Sequence, residues 1–150
     1  MTATRPNSSP LTVLLVDDEP PVVKIAVRML APLGCEILTA TCGADALALY
    51  AALGRPIDLL LTDLHMPIMN GRALAMALRS MQPGLKVLYF TGRSDELFAE
   101  LTELEPHEAF IDKPVTAAAI CQAVSLHLFG TLAPPGAANS RSHQAHGASV

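Results

Sequence analysis

The chain has 150 residues, 51% of them apolar and 16% charged, with a formal net charge of −4. That length suits one domain with a real core, and the composition is that of a compact chain, not a disordered one. The acidic balance excludes indiscriminate binding to nucleic acid or membrane surfaces, and no apolar stretch approaches the length of a membrane span.

Residues 1–10 read as a flexible polar leader, without the apolar segment of a secretory signal. Residues 11–16 form a continuous apolar run, as a strand buried on both faces should, and Asp17-Asp18 follow it. Pro20-Pro21 suit the first turn of a helix, where a missing N–H costs nothing. That helix would carry Val22, Val23, Ile25, Ala26, Met29 and Leu30 inward and end near Pro32 to Gly34. Residues 36–40 read as a second strand and 43–53 as an alanine- and leucine-rich helix ended by Gly54.

Residues 57–62 predict a third strand, followed at once by Asp63. A loop with Pro67 and Asn70-Gly71 leads to a helix over about 72–81. Residues 86–90 predict strand four, closed by Thr91-Gly92, and 95–103 a short acidic helix. Residues 109–111 predict strand five, before Lys113-Pro114, and 115–129 the last helix. From Gly130 the text turns to Pro, Ala, Asn, Ser and His and reads as a disordered tail over 130–150. Five strand-then-helix units predict an α/β domain over 11–129, a doubly wound five-stranded parallel sheet with helices on both faces. Cys35, Cys42 and Cys121 are odd in number and lack CxxC spacing, so reduced buried thiols in a cytoplasmic protein are expected.

The carboxyl ends of parallel strands meet at one edge, where ligands bind. Asp17, Asp18, Asp63, Thr91 and Lys113 should therefore converge. Each has a bland reading alone: an acid or Glu19 capping the next helix, a lysine in a simple salt bridge, a threonine cap. Together, three carboxylates repel one another and need a cation. Oxygen ligands without a nearby His or Cys pair favour Mg²⁺ or Mn²⁺ over zinc. An ammonium beside that cation can pair with a phosphoryl oxygen.

The text LLVDDEP at the first strand, LLLTDLHMPIMNG around Asp63, VLYFTG ending at Thr91-Gly92 and FIDKP around Lys113 resembles the receiver domain of two-component response regulators, over about residues 11–129. The resemblance implies a flavodoxin-like fold of receiver type, with Asp63 accepting a phosphoryl group from a phosphohistidine of a partner kinase. It implies that Asp17, Asp18, Asp63 and the backbone carbonyl of His65 hold Mg²⁺, and that Lys113 and Thr91 contact the phosphoryl oxygens. It also implies that Phe110 occupies the aromatic switch position. Phe110 lacks the hydroxyl of the frequent tyrosine, and Gly92 stands where Ala or Ser is common. His65 holds a position whose side chain influences dephosphorylation in that family.

The resemblance implies a regulatory phosphoacceptor, not an enzyme acting on other substrates. An aspartyl nucleophile beside Mg²⁺ and Lys also serves phosphohydrolases, but no separate general acid is evident. The text after the last helix has no room for a DNA-binding output, so a single-domain response regulator is expected, with a phosphorelay intermediate as the alternative. The expected partners are a sensor histidine kinase or histidine phosphotransfer protein, and a downstream protein target or a second copy. The last helix carries no Asp, Glu, Lys or Arg, so some of Ala117, Ala118, Cys121, Leu126 and Phe129 should be exposed. The output face is accordingly expected at strand five and its flanking helices, about residues 92–129. Nucleic acid and membrane are not expected as partners.

Overall fold

The structure, a computed structural model, describes residues 10–92, 105–113 and 116–129. Residues 1–9 of the leader, the acidic helix expected over 95–103 and the tail from 130 lie outside the described residues, as does Pro114.

Five strands, β1 (Thr12–Val16), β2 (Glu36–Ala40), β3 (Leu59–Thr62), β4 (Lys86–Thr91) and β5 (Glu108–Asp112), form one parallel sheet in the order β2-β1-β3-β4-β5. Helices α1 (Pro20–Leu30), α2 (Gly43–Leu53), α3 (Gly71–Met81) and α4 (Ala117–Phe129) cover it. Period-two alternation splits each strand between two cores. Leu14, Val16, Leu60, Val87 and Tyr89 pack with Ala46 of α2 and Leu74, Ala75 and Leu78 of α3. Val13, Leu15, Leu59, Leu61, Leu88 and Phe90 pack on the other face with Val23, Ala26 and Leu30 of α1 and Ile120, Cys121 and Val124 of α4. Both faces are covered, which is why β1, β3 and β4 read as unbroken apolar runs.

The helix ends follow local chemistry. Prolines occupy the first turn of α1, and Gly54 ends α2 in the left-handed conformation (φ 68°). Asn70 caps α3, its side chain accepting the Ala73 N–H at 2.8 Å. Thr116 does the same for α4, whose helix starts at Ala117, later than the expected 115, with the Ala119 N–H donating to the Thr116 hydroxyl at 3.1 Å.

Three further details differ from expectation. β3 starts at Leu59 because both polar groups of the Ile57 backbone bond the Gln82 amide, at 3.1 and 2.7 Å, instead of joining a ladder. Ile25 is 52% exposed. It lies two residues from buried Val23, on the opposite side of a 3.6-residue turn. The three thiols are free, but only Cys121 is fully buried; Cys35 and Cys42 are half-buried. Among the described residues no helix is long and apolar enough to cross a membrane.

Candidate functional site

The strand order reverses between β1 and β3, where a doubly wound sheet opens a crevice at its carboxyl edge. Asp17 follows β1 and Asp63 follows β3, and backbone bonds fix both: the Asp17 N–H donates to Ala40 O at 3.2 Å and the Asp63 N–H to Val16 O at 2.8 Å. Lys113 follows β5 and its N–H donates to Thr91 O at 2.8 Å, which ties the ends of β4 and β5 together. Gly71 supports Asp63 from behind. A Cβ there would run into the Asp63 carbonyl oxygen, so only glycine allows α3 to start this close to the strand end.

Four of the expected side chains meet. Ligand oxygens of Asp17, Asp18 and Asp63 lie within 4.8 Å of one another. Lys113 Nζ stands 2.7 Å from Asp17 Oδ2 and 3.5 Å from Asp63 Oδ2. Asp17 is fully buried, Asp63 nearly so and Asp18 half-buried. The helix-cap reading of these acids is not how Asp17 is used. Glu19 sits at the N-cap of α1 with no side-chain bond to it, and Asp17 Oδ1 accepts the Glu19 N–H at 2.9 Å. Asp63 Oδ1 accepts the His65 N–H at 3.3 Å.

Burial raises the Asp63 carboxyl above its ordinary value; the Lys113 ammonium pulls it down, Asp17 pushes it up, the His65 N–H lowers it, and Asp18 raises it further. Three carboxylates against one ammonium leave two formal negative charges at the cluster. An all-oxygen donor set with that excess fits a hard divalent cation.

The remaining expected residues lie on β4, β5 and the loop after β3. Thr91 is fully buried at the end of β4, beside Lys113 through its backbone. The His65 side chain is half-buried, with Nε2 shielded from solvent. Phe110 stands on the other face of the sheet, opposite Tyr89 in the β4–β5 register and against the core beneath α2 and α3. Two contacts escaped sequence reasoning. The Phe90 ring lies under the Lys113 ammonium, 4.7 Å from ring centroid to Nζ; an aromatic residue just before Thr91 was the only signal for it. The approach of Gly71 to Asp63 was signalled only by Asn70-Gly71 opening a helix.

Comparison with known proteins bears on this geometry. Residues 13–125 match the family model described as response regulator receiver domain. The chain is 34% identical over 107 residues to the sensor kinase CckA of Brucella abortus, a stretch covering 71% of this chain and 11% of that protein. It is 33% identical over 118 residues to the transcriptional regulatory protein GlrR of Escherichia coli, covering 79% of this chain and 26% of that protein. The chain thus spans about a tenth to a quarter of the length of these relatives. Among solved structures, a response regulator receiver protein from Sinorhizobium medicae superposes with a TM-score of 0.69 at 27% identity, covering 79% of this chain and 94% of that one. The receiver domain of a hybrid histidine kinase CckA superposes with a TM-score of 0.66 at 28% identity, covering 78% of this chain and 98% of that one. Fold, strand order and family match agree, and this chain belongs to the response regulator receiver domain family.

Proposed function

We propose that this receiver takes a phosphoryl group onto Asp63 from a phosphohistidine of a partner kinase or phosphotransfer protein. The observation that carries this reading is the convergence of Asp17, Asp18 and Asp63 within 4.8 Å, with the Lys113 ammonium 3.5 Å from Asp63. Asp63 Oδ attacks phosphorus, the P–N bond to the donor imidazole breaks, and its electron pair stays on the imidazole. Lys113 pairs with the phosphoryl oxygens and balances their charge. The carboxylates of Asp17, Asp18 and Asp63 and the backbone carbonyl of His65 would hold Mg²⁺, or Mn²⁺ in its place. A bound divalent cation supplies further charge neutralisation at the transferring group.

In this reading Thr91 bonds the attached phosphoryl group, and the half-buried Phe110 reports the change by repacking beside Tyr89. The response leaves through the face of β5 and α4. There Ala118, Gln122, Leu126 and Phe129 form an uncharged exposed stripe at helical spacing, Leu126 being 49% and Phe129 57% exposed. A downstream protein or a second copy would dock on it, in the cytoplasm where kinase and phosphoryl donor meet. The likeness to a receiver of a hybrid histidine kinase supports a second reading, a relay that hands the phosphoryl group on to a histidine phosphotransfer protein. Loss to such a protein faster than to water marks the relay.

Intact mass after incubation with Mg²⁺ and acetyl phosphate tests the acceptor chemistry. The expected result is a Mg²⁺-dependent gain of one phosphoryl group that Asp63→Asn abolishes. A gain that persists in Asp63→Asn contradicts the assignment.

A further inference from the structure

The ammonium of Lys113 has two kinds of neighbour. Carboxylate oxygens of Asp17 and Asp63 lie at 2.7 and 3.5 Å. The Phe90 ring centroid lies at 4.7 Å, inside the roughly 6 Å at which a cation is drawn to an aromatic face.

Strand register produces this stack. Phe90 pairs with Ile111 and Thr91 with Asp112. Alternation then returns Lys113 to the Ile111 side of the sheet, the side on which Phe90 packs. The ring is 4% exposed and embedded in the core covered by α1 and α4, so packing fixes its plane. The lysine side chain is 20% exposed. An aliphatic side chain at Phe90 would set hydrocarbon against a partly desolvated ammonium and give nothing back. A hydroxyl or carboxylate there would compete for its N–H donors. The ring face attracts the charge without acting as a strong hydrogen-bond acceptor, and so leaves those donors for phosphoryl oxygens.

We propose that Phe90 is a positioning residue, whose ring face holds the Lys113 ammonium beside Asp63 for phosphoryl transfer. This rests on the acceptor role of Asp63 and the phosphoryl-pairing role of Lys113 given above. Phe90 touches no reacting atom and acts only through Lys113.

The test uses the full chain with Phe90→Leu and a shape-conserving series. In that series Phe90 is replaced by its 4-fluoro, 3,5-difluoro and 3,4,5-trifluoro analogues, which drain the ring face of negative potential. Phosphorylation by acetyl phosphate at saturating Mg²⁺ is expected to slow about three- to tenfold in Phe90→Leu, and stepwise with each fluorine. A second readout needs no cation: in the metal-free protein the ε-methylene of Lys113 should show an upfield ring-current shift relative to Lys24 and Lys86. Phe90→Leu should abolish that shift. A wild-type chain that takes up no phosphoryl group overturns this proposal together with the acceptor reading. A phosphorylated wild type whose rate is unchanged across the fluorine series overturns the Phe90 proposal alone.

Discussion

Gly71→Ala tests how closely the backbone behind Asp63 is specified. The added Cβ would press on the Asp63 carbonyl oxygen, 3.0 Å from the carbonyl carbon and 3.1 Å from Leu64 Cα. All three are backbone atoms, so no side chain can swing aside. Overpacking of this kind costs about 1–3 kcal/mol. Relief requires α3 to back away, which loosens the 2.9 Å bond from the Gly71 N–H to Leu64 O, at about 1 kcal/mol. The higher helix propensity of alanine returns at most about 1 kcal/mol. The net loss is about 2 kcal/mol, or roughly 4–8 °C in Tm for a chain of this length. Urea denaturation at fixed m-value reads the loss, and acetyl phosphate phosphorylation of the same variant should slow because Asp63 shifts. A stability within about 0.5 kcal/mol of wild type, with an unchanged phosphorylation rate, would refute the close-approach argument.

Three further outcomes follow from the same structure. Asp63→Asn should stabilise the metal-free protein at neutral pH. Burial raises the Asp63 carboxyl in the folded state, so the wild type binds more protons folded than unfolded and loses stability as pH rises through the raised value. The gap should close below the ordinary value of 3.8; parallel urea titrations from pH 3.5 to 7.5 check this, and a gap independent of pH contradicts it. Ile68→Gly should also stabilise, by about 0.5–1 kcal/mol. Ile68 is fully exposed at φ 71° in a tight turn closed by the Met69 N–H on Pro67 O at 2.7 Å, so removing the side chain forfeits no burial. A lower urea midpoint would show that its side chain has a role in the fold. Tyr89→Phe should cost about 1–2 kcal/mol, because the buried hydroxyl donates to Glu108 Oε1 at 3.0 Å, the oxygen that also takes Arg79 Nη1 at 3.2 Å. Unchanged stability would mean that this link between α3, β4 and β5 carries no net energy.

Much of the fold was legible because its signals are local. Buried parallel strands read as unbroken apolar runs, and those of β1, β3 and β4 end in Asp17, Asp63 and Thr91, so the strand ends and the cluster could be read together. The proline pair before Val22 and the glycine after Leu53 marked helix ends by their backbone requirements alone. What escaped depends on relations between segments. The inward placing of Ile25 counted residue type over angle, and the helix turned it to solvent. Phe90 beneath Lys113 follows from the β4–β5 register, which one strand at a time does not reveal. The bond between Arg79 and Glu108 spans 29 residues, and neither residue has a local pattern that names the other. The late start of β3 required knowing that Gln82, 25 residues on, would take the Ile57 backbone.

The central claim is that Asp63 itself carries the phosphoryl group, and reductive trapping tests it most directly. Borohydride converts an aspartyl phosphate to homoserine, so the protein is phosphorylated with acetyl phosphate and Mg²⁺, reduced, digested and sequenced by mass spectrometry. Homoserine at position 63, with Asp17 and Asp18 intact, is the predicted result. Homoserine at Asp17 or Asp18, or a phosphorylated chain that yields none at position 63, would contradict the account.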